Sequence, residues 1–203
     1  MLNLFLGRAK ASDVVSHLDS LKMSLEISDG DTDINALVRS IVVQSLLHIG
    51  SRSFSHLLNA IERYLPLLRN LASVGGTGNM EAKSDILTAA AAFWKRNRHM
   101  VGIVFDKMMQ YQIVDPNDVV AWTFANRGAI GQPRRKVGPL SLSAFEWDLL
   151  KGALDKANGR VVIARKKVRL LRNEEDDTRA KVKAGGADND MEVDVDTKEG
   201  VNF

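Results

Sequence analysis

Cysteine is absent from this sequence of 203 residues, and proline occurs only four times. The lack of cysteine excludes disulfide bonds, zinc sites with thiolate ligands and cysteine nucleophiles, and it fits a reducing compartment. The scarcity of proline permits long uninterrupted helices. No stretch reaches about 18 consecutive apolar residues, so no membrane span is predicted. Apolar residues nevertheless make up 45% of the chain, which is enough for a buried core.

Motifs of metal, phosphate and catalytic sites are also missing. The acidic stretch 29–33 resembles the start of a calcium loop, but Ile34 and Ser40 stand where that loop needs glycine and glutamate. The GGTG at 75–78 lacks the Lys-Ser/Thr of a phosphate loop, and no serine elbow occurs. The histidines form no metal-ligand pair at i, i+4; they are His17, His48, His56 and His99. We therefore predict no enzyme, no cofactor and no metal site.

Charge is distributed unevenly along the chain. The net charge is 0 over residues 1–126, +9 over residues 127–172 and −6 over residues 173–203. Such segregation bears on partners rather than on fold. Together with the hydrophobic pattern described next, it predicts a helical body at 1–126, a basic loop at 127–140, a long helix at 141–172 and a disordered acidic tail at 173–203.

Apolar residues recur at helical spacing through the body, and no segment shows the sustained alternation of a strand. The predicted helices begin near Ser12, Ile34, Ser53, Asn79, Arg98 and Pro116, and Pro66 should kink or end the third. The residues predicted to face inward are Val14, Leu18, Leu21, Leu25, Ile34, Leu37, Val38, Ile41, Phe54, Leu57, Leu58, Ile61, Leu65, Leu68, Ile86, Ala90, Phe93, Trp94, Val101, Val104, Phe105, Met108, Val119, Trp122 and Phe124. Successive helices with short corners predict an all-α, HEAT-like α-solenoid of antiparallel helix pairs.

The clearest local pattern is a helix, a corner and a second helix at 98–124. Asp115 suits an N-cap, and Pro116 suits the first helical turn because its missing N–H would be unpaired there. Asp118 adds negative charge at the positive end of the second helix. The corner is short, so we expect the two helices to pack antiparallel.

A heptad seam follows in the basic part of the chain. Eight apolar residues are spaced alternately by three and four, as in a coiled coil: Trp147, Leu150, Leu154, Ala157, Val161, Ala164, Val168 and Leu171. No second strand for this seam is found within the chain. The seam therefore predicts a partner helix, supplied by another molecule or by chain beyond Phe203.

Basic side chains form a second candidate binding site. They are Arg134, Arg135, Lys136, Arg165, Lys166 and Lys167. Contact with RNA or a partner protein, a nuclear import signal and a merely solvated helix face all remain open. No aromatic residues are interleaved with these side chains, so base stacking is not supported.

Two stretches resemble a known family. They are Gln44–Ala72, QSLLHIGSRSFSHLLNAIERYLPLLRNLA, and Phe93–Phe124, FWKRNRHMVGIVFDKMMQYQIVDPNDVVAWTF. Both are similar to the C-terminal region of the large subunit of the nuclear cap-binding complex, the fungal forms in particular. The most specific parts are SRSFSH, DKM-x-x-x-Q-I-V-D and A-W-x-F. The resemblance covers about residues 1–126 well and is weaker beyond, where that family places a long coiled-coil excursion.

This resemblance implies a nuclear, non-enzymatic scaffold, with shuttling to the cytoplasm as a further expectation. Its fold would be a helical-repeat domain like the middle domain of translation initiation factor 4G, here the last of three. The implied partner is a small subunit with an RNA-recognition motif (RRM), which stacks the methylated guanine, so that capped RNA is bound only indirectly. Factors of mRNA splicing, export and nonsense-mediated decay would dock on the large subunit.

The resemblance also implies that these 203 residues are a fragment, because that family has two preceding repeat domains and a returning coiled-coil arm. Two other readings remain. One is a different helical-repeat scaffold of RNA metabolism that binds RNA directly through its basic segment. The more distant one is an unrecognised enzyme.

Overall fold

The computed structural model describes residues 1–26, 33–73, 79–126 and 142–187. All regular structure within these ranges is α-helical, as predicted, and the helices are α1 Leu2–Leu6, α2 Ala11–Glu26, α3 Ile34–Gly50, α4 Phe54–Arg63, α5 Leu65–Ser73, α6 Met80–Phe93, α7 Arg98–Gln110, α8 Pro116–Ala125 and α9 Ala144–Ala187. The chain divides into two compact units, Met1–Ala157 and Asn158–Phe203. None of the described helices is long and apolar enough to cross a bilayer.

Helix α3 lies at the centre of the first unit, in contact with α1, α2, α4 and α6. Because neighbours cover it on several sides, its buried residues extend around much of its circumference: Val38, Val42, Val43, Leu46 and Leu47. The inward face predicted for this helix was partly wrong. Leu37 is 38% exposed, since the face that contacts α6 and α4 is rotated away from it.

Most predicted helix boundaries have the expected caps. Asn79 accepts a hydrogen bond from the Ala82 amide at 3.0 Å, and Ser53 accepts one from the His56 amide at 3.2 Å. The interruption predicted at Pro66 is confirmed. Helix α4 ends at Arg63, Tyr64 separates the two helices, and α5 begins at Leu65, one residue before the proline. The cap predicted at Ser12 was wrong. Helix α2 begins at Ala11, with Ser12 inside its first turn.

Helix α6 does not continue to Asn97 but ends at Phe93. Asn97 instead caps α7 and accepts a hydrogen bond from the Met100 amide at 3.2 Å. A side chain that bonds backbone amides at the start of the next helix competes with continuation of the previous one. Asn97 therefore separates two helices rather than ending one.

The corner between α7 and α8 has the predicted chemistry. Asp115 and Asp118 form a capping box, and Pro116 is the first helical residue. The rings of Phe105 and Trp122 pack edge to face with centroids 5.0 Å apart, which places α7 and α8 in contact. Their antiparallel orientation stays a prediction. The inward placement of Phe124 was wrong, because this side chain is 45% exposed.

The short helix α1 was not predicted. Its Phe5 is buried and packs edge-on against Tyr64, with ring centroids 4.7 Å apart. The Tyr64 hydroxyl donates a hydrogen bond to the Ala9 carbonyl at 2.9 Å. These contacts join the start of the chain to the end of α4, and they involve residues too far apart in sequence for a periodicity argument to find.

A lysine clamps α6 to the start of α8. The Lys83 amine lies 2.8 Å from Asp115 Oδ2 and 3.0 Å from Asp118 Oδ2. Burial alone would lower the pKa of this amine, but the hydrogen bonds to the two carboxylates and their charges outweigh burial and raise the pKa above its usual 10.5. Lys83 therefore stabilises the fold most in its protonated form.

We expect the free energy of unfolding to fall as the pH rises above 10.5, which is the pKa of the Lys83 amine in the unfolded chain. A group whose folded pKa is raised contributes fully below its unfolded pKa, and that contribution is lost as the pH passes the folded pKa. The hydrogen bond to Glu62 raises the pKa of Tyr111 as well, which acts in the same direction. Urea denaturation at several alkaline pH values, in a Tyr111→Phe background, should show a steeper decline with Lys83 than with Lys83→Met. Equal slopes would contradict this role.

Two helical glycines provide a matched pair of predictions. A Cβ on Gly50 would lie 2.9 Å from Leu57 Cα, whereas a Cβ on Gly102 would meet nothing within 4 Å. We expect Gly50→Ala to destabilise the fold by about 1–3 kcal/mol, because the backbones of α3 and α4 must separate. Gly102→Ala should stabilise it by about 0.5–1 kcal/mol through helix propensity. Thermal unfolding monitored by circular dichroism measures both. Shifts of the same sign would refute the close approach at Gly50.

Candidate partner-binding surfaces

Within the first unit, the first turns of α9 pack on their neighbours through a face that coincides only in part with the predicted seam. Leu149, Leu150 and Ala153 are buried, and Phe145 is half-buried against the core. The amine of Lys156 lies 2.9 Å from Asp106 Oδ1 on α7. Residues 145, 149 and 153 repeat at intervals of four, so the packed stripe deviates from the heptad positions.

The seam residues within this unit therefore have mixed environments. Leu150 is buried in the chain itself, which removes it from the predicted partner seam, and Ala157 is half-buried. Trp147 and Leu154 are 61% and 64% exposed. The heptad pattern predicted a helix correctly but did not identify which side of it would be buried by neighbours.

In the second unit, the seam residues are all exposed on α9: Val161, Ala164, Val168 and Leu171. Three further apolar residues of this stretch are also exposed: Val162, Ile163 and Leu170. An apolar stripe on a helix is normally covered by another element. A partner helix on this seam stays a prediction.

The predicted end of this helix at residue 172 was wrong, because α9 continues to Ala187. The acidic residues after Asn173 led us to predict disorder. Opposite charges four residues apart favour a helix here, however, as in the pairs Glu175–Arg179 and Asp177–Lys181. This spacing was the signal that could have corrected the prediction. Residues 188–203 of the predicted tail lie outside the described residues.

The six predicted basic residues fall into two groups. Arg165, Lys166 and Lys167 are exposed on α9. Arg134, Arg135 and Lys136 lie outside the described residues, as does the predicted basic loop. The part of the basic site that the structure describes is therefore a solvent-facing helical segment that is available for contact with RNA or a protein.

A cleft of about 430 Å³ lies between α7 and the first turns of α9. Its lining includes Phe54, Gly102, Ile103 and Phe145. Phe54 was predicted to face inward, but this residue is 49% exposed, and the Lys107 amine lies over its ring, 5.8 Å from the centroid. The lining combines apolar with charged side chains, a composition suited to a protein partner.

A second cleft, of about 280 Å³, lies where α1, α3 and α4 meet. Three arginines line it: Arg8 after α1, Arg52 in the α3–α4 turn and Arg63 at the end of α4. His56 also lines it, and its Nδ1 lies 2.7 Å from the Ser53 hydroxyl. Sequence reasoning missed this cleft, because its arginines are far apart in the chain and form no run or periodic pattern.

Metal chemistry finds no support in the part of the chain that the structure describes. No group of three or more histidine, aspartate or glutamate residues is placed there to hold an ion. The histidines considered above, His17, His48, His56 and His99, belong to no such group.

Comparison with known proteins gives consistent results. This chain is 28% identical over 166 residues to nuclear cap-binding protein subunit 1 of Oryza sativa subsp. japonica, covering 82% of the chain and 17% of that protein. It is 31% identical over 129 residues to the Arabidopsis thaliana protein of the same name, covering 64% and 14%. With the Mus musculus protein it shares 25% identity over 166 residues, covering 81% and 19%. The chain thus spans less than a fifth of the length of these curated relatives.

The family resemblance noted in Gln44–Ala72 and Phe93–Phe124 is confirmed by these matches, and the helical fold agrees with it. The sequence profile of the family described as MIF4G like matches residues 1–200, nearly the whole chain. The protein belongs to the MIF4G-like family.

Proposed function

We propose that this chain is a segment of the large subunit of a nuclear cap-binding complex, in which it acts as a non-enzymatic scaffold. The observation that carries the proposal is the set of relatives named nuclear cap-binding protein subunit 1, which align with 64–82% of the chain. The full activity then belongs to a longer parent protein, and this segment contributes binding surface. The nucleus is its place of action, with shuttling to the cytoplasm.

The partner we propose is a small subunit with an RRM, which itself stacks the methylated guanine of the cap. Capped RNA then reaches this chain only through that subunit. The cleft between α7 and α9 supports a protein contact, because Phe54 and Ile103 supply apolar surface beside the charged Asp106 and Lys107. Splicing, export and decay factors would use further exposed surfaces, including the seam of α9.

The seam can be tested with a matched pair of variants. Val161→Asp with Val168→Asp places two charges on the seam, and we expect helix pairing to be lost while the first unit stays folded. Ile163→Asp with Leu170→Asp makes the same change, seven residues apart, at exposed positions off the seam. Sedimentation velocity, with and without the splicing, export or decay factor under test, reports association, and circular dichroism reports folding.

Association lost in the seam variant and kept in the off-seam variant is the expected result. Equal loss in both variants would mean that the seam has no special role. Global loss of helix in the seam variant would contradict the modular organisation, in which the first unit folds independently of this stretch of α9.

Direct RNA binding through the basic segment is a second candidate function. It is favoured by the net charge of +9 over residues 127–172 and by the exposure of Arg165, Lys166 and Lys167. Salt titration separates the two functions. Binding to phosphates should weaken steeply with rising salt through counterion release, whereas an apolar helical interface should not.

A further inference from the structure

The cleft at the junction of α1, α3 and α4 concentrates positive charge. Arg8, Arg52 and Arg63 line it together, and no carboxylate side chain is found in its lining. Within the described part of the chain, none of the three forms an ion pair. Unbalanced charge of one sign in a concave site focuses the local field and attracts groups of the opposite sign.

Arg8 occupies a backbone position that favours glycine. Its φ is +56°, and it follows α1 in a closing turn in which the Ala9 amide donates to the Leu4 carbonyl at 2.9 Å and the Arg8 amide donates to the Phe5 carbonyl at 3.1 Å. A residue with a side chain is less favourable at such a position than in an ordinary helical conformation. An arginine at this position therefore adds charge to the cleft in spite of a backbone preference for glycine.

The turn that carries Arg8 is held in place from α4. The Tyr64 hydroxyl donates to the Ala9 carbonyl at 2.9 Å, and the Phe5 and Tyr64 rings pack edge to face. Arg63 is the residue before Tyr64. Two of the three arginines are thus anchored through one buried contact, which fixes their backbones before any ligand binds and lowers the entropic cost of binding.

The composition of the cleft favours a peptide over a nucleic acid. The rings of Phe5 and Tyr64 are each 3% exposed, so neither offers a stacking platform to a base. Beside the arginines, Leu6 is 51% exposed and offers an apolar contact. Guanidinium groups match carboxylates with paired N–H donors.

We propose that this cleft binds an acidic peptide segment of a partner protein. Its Asp or Glu carboxylates contact Arg8, Arg52 and Arg63, and an apolar side chain packs on Leu6. This inference does not depend on the proposed role in cap binding, because it rests on the cleft alone.

Fluorescence anisotropy with a labelled peptide of about twelve residues, rich in Asp and Glu with interspersed Leu, tests the proposal on the full 203-residue chain. We expect binding to weaken about tenfold in Arg52→Gln/Arg63→Gln, the range of two exposed ion pairs. Lys95→Gln/Arg96→Gln removes the same charge at exposed positions outside the cleft and should leave binding unchanged.

Further probes distinguish the cleft from other basic surfaces. Arg165→Gln/Lys166→Gln/Lys167→Gln should not alter peptide binding, and a peptide with Asn and Gln in place of Asp and Glu should not bind. The proposal is overturned if the α9 variant or the Lys95/Arg96 variant loses as much affinity as the cleft variant. It is also overturned if a uracil oligoribonucleotide binds the cleft more tightly than the peptide, or if the peptide does not bind at all. Circular dichroism confirms that each variant is folded.

Discussion

Phe105→Ala is expected to lower the free energy of unfolding by about 3–5 kcal/mol, the range for removal of a buried phenylalanine side chain. Phe105 is 0% exposed and packs edge to face on Trp122. Alanine would lose the transfer free energy of the ring and leave a cavity between α7 and α8. Domains of this size have about 5–15 kcal/mol of stability in total, so the variant should lose a large fraction of it.

Urea denaturation monitored by circular dichroism measures this loss. Phe124→Ala is the matched control, because it removes the same ring from α8 at a position that is 45% exposed. The control should cost less than about 1.5 kcal/mol, since much of its ring already contacts water. If the two variants lose similar stability, Phe105 does not anchor the core as the structure indicates.

Asp85→Ala is expected to destabilise the fold by about 3 kcal/mol, because it leaves a buried guanidinium without its partner. Arg39 Nη1 lies 2.7 Å from Asp85 Oδ2, and the side chains are 6% and 26% exposed. The pair joins α3 to α6, the two helices at the centre of the first unit. The expected value lies at the lower end for buried pairs because Asp85 keeps some contact with water.

A double-mutant cycle separates the charge penalty from the value of the pair. Arg39→Met with Asp85→Ala should recover much of the stability lost in Asp85→Ala, because the unpaired charge is gone. Asp19→Ala, at an exposed position of α2, is the control and should change the free energy of unfolding by less than about 0.5 kcal/mol. If the double variant is as unstable as the sum of its singles, the two side chains do not interact.

The parts of this fold that could be predicted depend on local chemistry. Asn79 and the Asp115–Pro116 pair mark helix starts because their side chains or ring satisfy the needs of the first turn, whatever else surrounds them. The inward face of α7 was predicted correctly for the same kind of reason. Its four apolar residues at helical spacing are all buried.

The parts that could not be predicted depend on which elements become neighbours. Phe54, Phe124 and Trp147 belong to apolar patterns, yet each is about half exposed or more, because no described helix covers that side. The cleft lined by Arg8, Arg52 and Arg63 shows this dependence on neighbouring elements most clearly. These arginines lie far apart in the sequence, and only the packing of α1, α3 and α4 brings them together.

The central claim, membership of a cap-binding complex through a small subunit, is tested most directly by retention on an immobilised 7-methylguanosine cap. The 203-residue chain is applied with and without a small RRM-containing cap-binding subunit, after circular dichroism has shown it to be folded. Retention only in the presence of the small subunit is the predicted result, and it would place a subunit contact within these residues. Retention without the small subunit would contradict the account, because this chain would then bind the cap or RNA directly.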